Sequence, residues 1–121
     1  MSDYWGYHLM LDCSECDVDS MKDKQNIYNF VKVLIERIDM VAHGEPIIEF
    51  LCPGDEDKEG YSLMQLITTS CITGHFIDYH GHIYIDVFSC KEFDIDVAKQ
   101  TVQEFFGAKK MRINFITRNA G

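Results

Sequence analysis

The stretch Tyr61-Ser62-Leu63-Met64-Gln65-Leu66-Ile67-Thr68-Thr69-Ser70-Cys71-Ile72-Thr73-Gly74-His75-Phe76-Ile77 decides the fold. It is two β-rich runs, 61–69 and 71–77, built from Leu, Ile, Thr and aromatic residues that suit a half-buried pleated surface. Downstream, His80-Gly81 reads as a tight turn into a further strand over 82–89. Upstream, a short strand runs from Pro46 to Cys52. The acidic connection Asp55-Glu56-Asp57-Lys58-Glu59-Gly60 then forms a solvated loop, and 53–60 should be the longest structureless stretch.

Outside this β-rich centre the period changes. Trp5, Tyr7, Leu9 and Leu11 alternate with Gly6, His8, Met10 and Asp12, which predicts a first strand. Asp17-Val18-Asp19-Ser20 supplies helix N-cap candidates. Ile27, Phe30, Val31, Leu34, Ile38 and Val41 then recur at helical spacing, and the helix is expected to end near Gly44. A second helix should start near Asp94, carry Ala98, Val102, Phe105 and Phe106 on one stripe, and stop at Gly107. Met111, Ile113 and Phe115 alternate in a last strand. The order β-α-β-β-β-β-α-β predicts an α+β, two-layer sandwich: a largely antiparallel sheet with two helices on one face.

The chain has 121 residues, enough for one domain spanning 1–121 around one core. A hydrophobic fraction of 46% and eight Phe with six Tyr argue for a folded globule. The net charge of −9, with no basic cluster beyond Lys109-Lys110, argues against nucleic acid as a partner. Met1-Ser2-Asp3-Tyr4-Trp5 has neither a basic region nor an apolar run, so neither a leader peptide nor a membrane span is expected there. Five cysteines, an odd number, suit reduced thiols and a cytoplasmic location.

Two clusters invite a metal. Cys13-Ser14-Glu15-Cys16 is a lone C-x-x-C, and zinc needs about four ligands. No second pair completes it, so ordinary strand-end cysteines are the better reading and no metal is expected. His75, His80 and His82 lie near Asp78, but His80 and His82 fall where an exposed turn is expected.

Ser62, Ser70, His75 and Cys90 form a different kind of set. Ser62 precedes Ser70 by eight residues, His75 follows it by five and Cys90 by twenty. In this spacing, and in the runs around it, the chain resembles the prokaryotic S-adenosylmethionine decarboxylases. His8-Leu9, Glu15-Cys16-Asp17 and Phe50-Leu51 extend the resemblance over nearly the whole chain.

The resemblance implies a self-cleaving proenzyme. Ser70 would attack the carbonyl of Thr69, helped by Ser62 and His75. A β chain of residues 1–69 and an α chain of 70–121 would result, the latter opening on a pyruvoyl group derived from Ser70. That group would hold the substrate amine as a Schiff base and act as the electron sink for decarboxylation. Cys90 would reprotonate the substrate carbon. Phe50 would stack on adenine. The products would feed spermidine synthesis, and a homodimer with sites near its interface is implied.

The chain also departs from the family pattern. Thr69 stands where the family has Glu, and Cys71 where it has His. Tyr79 occupies the position of the Glu that holds the ribose hydroxyls, with Asp78 one residue earlier, so Asp78 could take over only if the backbone shifts. The loop after Phe50 is longer. These departures motivate two alternatives: a pyruvoyl decarboxylase of ornithine or arginine, and an unprocessed binding or regulatory relative. The bland readings also stand, with Ser62 a strand start and Cys90 a small buried apolar residue. Alternation places Ser70 and His75 on opposite strand faces, and a bulge at Gly74 is the expected way to realign them.

Overall fold

A computed structural model describes residues 4–121; the reading of residues 1–3 as free of a leader lies outside the described residues. The sheet has six strands: β1 (Gly6–Ser14), β2 (Ile47–Leu51), β3 (Gly60–Ile67), β4 (Ser70–Ile77), β5 (His82–Ser89) and β6 (Lys110–Arg118). Its order is β2-β3-β4-β5-β1-β6 and every neighbouring pair is antiparallel. Among the described residues three α-helices accompany it: α1 (Val18–Met21), α2 (Lys24–Arg37) and α3 (Ile95–Phe106). This is the expected two-layer α+β arrangement, with one short extra helical turn.

The core lies between the two long helices and one face of the sheet. Leu9, Leu11, Leu63, Ile72, Phe76, Ile83, Ile85 and Val87 from the strands meet Ile27, Phe30, Leu34, Val102 and Phe106 from the helices. Phe106 joins the layers, its ring 4.9 Å from Phe30 and 5.1 Å from Phe76. Rings at these spacings add to the area term that drives the layers together.

The first helix differs from its expected bounds at both ends. Asp17 starts only the short α1, and Asp23 caps α2 by accepting from the Asn26 N–H. At the other end α2 stops at Ile38 rather than near Gly44. Asp39 takes a left-handed φ of 58°. Its N–H then donates to the Glu36 carbonyl and that of Met40 to the Ile35 carbonyl. This is a Schellman ending, for which glycine is the usual residue, so the sequence carried no glycine flag. Residues 40–43 become a strap along the β3–β4 hairpin. The Thr68 N–H donates to Val41, the His43 N–H donates to Leu66, and Ala42 bridges to Ile67. Val41, expected in the core, is exposed.

The bulge expected at Gly74 is absent. Pairing runs unbroken from Ser62↔His75 to Ile67↔Ser70 on one side and from Ser70↔Ser89 to Ile77↔His82 on the other. Gly74 serves packing instead: a Cβ there would lie 3.1 Å from Ile85 and 3.2 Å from Phe76. Gly60 has a stricter requirement. At φ 153° its missing Cβ would sit 1.7 Å from the Phe76 carbonyl oxygen.

Helices cover only one sheet face. The other presents Met64 and Leu66 of β3, Phe88 of β5 and Ile116 of β6 around a polar centre. There His8 Nε2 lies 3.0 Å from the Asp86 carboxylate, which also accepts from Thr73 at 3.5 Å.

Candidate active site

The sequence-predicted residues separate into two groups at opposite ends of the β3–β4 hairpin. At the turn end, Thr68 and Thr69 form a two-residue loop closed by the Ile67↔Ser70 pair. Such loops normally place positive φ on the loop residues themselves. Here neither threonine does, and Ser70 carries the unusual value, φ 157°. The Thr69 carbonyl accepts the Cys90 backbone N–H at 2.9 Å. Cys90 follows Ser89, the residue paired with Ser70, and its thiol is exposed rather than buried as a small core residue would be. The turn end thus holds a backbone donor on one carbonyl and a hydroxyl on the next residue, with an exposed cysteine following the strand residue paired to it.

At the open end, Ser62 and His75 are paired across the strands, and Ser62 Oγ lies 3.2 Å from His75 Nδ1. Both belong to the face that the helices leave bare. Five residues of strand separate His75 from Ser70, roughly 17 Å at ~3.3 Å per residue. With the register unbroken, Ser70 shares the helix-side face with Ile72, Gly74 and Phe76. One chain therefore does not bring Ser62 and His75 to Ser70.

The residues expected to bind substrate are also at the open end. Phe50, 45% exposed, makes an edge contact with Tyr61 at 5.4 Å between ring centres. Its pairing with Tyr61 puts it on the helix side of the edge strand, opposite to Ser62 and His75. Asp78 opens a 3-10 turn (Asp78–His80) and is 5% exposed, while Tyr79 points outward at 58%. Neither carboxylate oxygen of Asp78 has a hydrogen-bond partner among the described residues. Burial raises its pKa, Lys22 opposes that, and Glu59 reinforces it.

The other candidate clusters resolve simply. Cys13 and Cys16 are buried thiols whose pKa values burial pushes up to about 12 and about 11, so they stay protonated and unreactive at neutral pH. His80 lies 2.9 Å from Asp57 on the acidic loop and stacks with His82 at the turn. That loop is ordered by its own bonds, with the Gly54 N–H on Glu59 and the Asp57 N–H on Asp55. Sequence reasoning missed the Cys90 backbone donor, because a strand-end N–H leaves no mark on residue identity. It also missed Ser89 and Met40, which surround Thr69.

Comparison with known proteins agrees with the sequence pattern. Residues 7–119 match the family model described as S-adenosylmethionine decarboxylase. S-adenosylmethionine decarboxylase proenzymes from Clostridium botulinum strains Loch Maree / Type A3 and 657 / Type Ba4 are each 28% identical over 116 residues, covering 95% of both chains. The crystal structure of the adenosylmethionine decarboxylase from Aquifex aeolicus VF5 superposes with a TM-score of 0.81 over 99% of this chain and 95% of that one. At 17% identity it supports the fold.

Proposed function

The chain belongs to the S-adenosylmethionine decarboxylase family, and from that premise we propose that it decarboxylates S-adenosylmethionine after cutting its own backbone between Thr69 and Ser70. The observation that carries this reading is the Thr69–Ser70 peptide. A backbone N–H already sits on the carbonyl that must take up negative charge when a nucleophile attacks it, as an oxyanion donor does. The nucleophile is the next residue's own hydroxyl.

In the first step a bond forms between Ser70 Oγ and the Thr69 carbonyl carbon while the peptide C–N bond breaks. The hydroxyl proton ends on the freed amine, leaving an ester. Loss of the Ser70 α-proton to a base then breaks the Cβ–Oγ bond and releases the upstream chain as a carboxylate ending at Thr69. The dehydroalanine left at position 70 tautomerises and takes up water, losing ammonia and leaving a pyruvoyl group. That group supplies the electron sink that decarboxylating an α-amino acid requires. The exposed Cys90 thiol, next to the residue paired with Ser70, is the proton donor to the substrate carbon.

Ser62 and His75 assist the cut from a second copy. Their separation from Ser70 within one chain supports a homodimer, as does the bare sheet face with Met64, Leu66, Phe88 and Ile116. One copy's open end then serves the other's turn end. The same open end carries the substrate pocket. Phe50 offers an exposed ring for a purine. The two unpartnered Asp78 oxygens are acceptors for a hydroxyl pair such as a ribose diol, once the turn at 78–81 shifts. Free thiols at all five cysteines fit a reducing compartment, the cytoplasm.

Intact-mass measurement tests the cut: two fragments separating at Thr69/Ser70, the second opening on pyruvoyl, are expected. Release of carbon dioxide from carboxyl-labelled S-adenosylmethionine tests the substrate, with ornithine and arginine in parallel. An uncleaved chain, or turnover only of the other two amino acids, would overturn the proposal.

A further inference from the structure

We propose that Ser89 is a positioning residue for self-cleavage, acting through the side chain of Thr69. The inference deepens the reading above and rests on it. Ser89 and Cys90, at the end of β5, grip the residue whose carbonyl is attacked, and Lys91 braces Ser89. The Cys90 N–H holds the Thr69 carbonyl at 2.9 Å, the Ser89 hydroxyl donates to Thr69 Oγ1 at 2.9 Å, and the Lys91 N–H donates to Ser89 Oγ at 3.0 Å. Thr69 Oγ1 passes the chain on to Met40 Sδ at 3.3 Å.

Lys91 N–H donates to Ser89, the Ser89 hydroxyl donates to Thr69 with Met40 Sδ a longer second acceptor at 3.7 Å, and the Thr69 hydroxyl donates to the same sulfur. Ser89 is 0% exposed, so its hydroxyl has no water to turn to and its orientation is set by these partners. Fixing both the side chain and the carbonyl of Thr69 leaves the peptide plane little freedom. An acyl shift needs that, because the attacking hydroxyl on the next residue reaches the carbonyl carbon from only one side. A side-chain hydroxyl at position 69 is therefore a working part of the turn.

The strap 40–43 extends the grip. Lys91 Nζ bonds the Asp39 carbonyl at 2.6 Å and its carboxylate at 2.9 Å, so the segment holding Thr69 is itself tied to the end of α2.

The test follows cleavage of newly synthesised full-length chain by intact mass over time. Ser89→Ala and Thr69→Val should each slow the cut about three- to tenfold, the loss of one hydrogen bond. The double variant should be no slower than the slower single one, because both remove the same contact. Thr69→Ser, which keeps the hydroxyl, should recover most of the rate that Thr69→Val loses. Cleavage of Ser89→Ala at the parent rate, or single effects that multiply in the double variant, would overturn the role. Circular dichroism of Ser89→Ala in the uncleavable Ser70→Ala background establishes that the variant folds. Should it not, Thr69→Val against Thr69→Ser decides alone, equal rates in that pair overturning the role. A parent chain that never cleaves refutes the reading of the turn itself and is thereby distinguished from a failure of Ser89.

Discussion

The two ends of the β3–β4 hairpin differ in what they can do alone. The turn end gathers its backbone parts within one chain: the Thr69 carbonyl, the donor on it from Cys90, and Ser70 as the next residue. The open end has a paired serine and histidine that lie a strand's length from Ser70. An unbroken antiparallel ladder explains the contrast. Alternation sends successive side chains to opposite faces, and a regular register forbids any local correction. The chemistry is therefore divided by the geometry of the sheet, and a second copy is the simplest way to rejoin it.

The sharpest attempt to break this comparison is complementation. Ser70→Ala and His75→Ala chains should each stay largely uncleaved alone. Refolded together, they should restore cutting of the His75→Ala chain, because a mixed dimer holds one intact pairing of Ser70 with His75. Absence of fragments in the mixture, read by intact mass, would return the whole site to a single chain. Next in size, Leu66→Asp on the bare face should abolish the dimer in analytical ultracentrifugation and slow cleavage by about 100-fold or more, since burying an unpaired carboxylate opposes association. Cleavage at the parent rate in a monomer would be the contrary result.

Cys90→Ala separates the two functions of the turn end. The backbone donor survives the substitution, so cutting should proceed, whereas turnover of S-adenosylmethionine should fall about 100-fold through loss of the proton donor. Equal losses in both would show that the thiol, rather than the N–H, matters to the cut.

The smallest effect concerns the open end. Burial raises the Asp78 pKa, so the folded chain binds that proton more tightly than the unfolded one. The associated stability is complete below the unfolded pKa of about 4 and is lost as pH rises through the folded value. Asp78→Asn should therefore melt higher near pH 7.5, with the gain shrinking towards pH 4, read by thermal unfolding across that range. A gain independent of pH would mean that the carboxylate is not strained by burial.

The sequence was most informative where structure follows from local chemistry. Asp94 and Gly107 bound α3 as read, one accepting from the Asp96 and Val97 N–H groups, the other taking a φ of 58°. Asp39 adopts the same left-handed conformation without glycine, so α2 was read past its end and the strap over the turn went unseen. Gly74 illustrates a second limit. Its lack of a side chain was read as a bend, but it makes room for Ile85, its partner across the sheet, and for Phe76 two residues along the same strand. The spacing of Ser62, Ser70, His75 and Cys90 was legible from residue identity. Which of them share an end and a face depends on register, and register is a property of the assembled sheet.

The strand order carries one more consequence. A cut between Thr69 and Ser70 assigns β1, β2 and β3 to one fragment and β4, β5 and β6 to the other, yet β1 lies between β5 and β6. The fragments are thus woven into each other and stay together without a covalent link. The intact precursor finds its fold as one chain, while the product, once denatured, must reassemble as two. Self-cleavage would then act as a one-way door. The uncut chain should regain its own fold at a rate independent of concentration, and the mature protein only by collision of its two fragments, at a rate that rises with protein concentration.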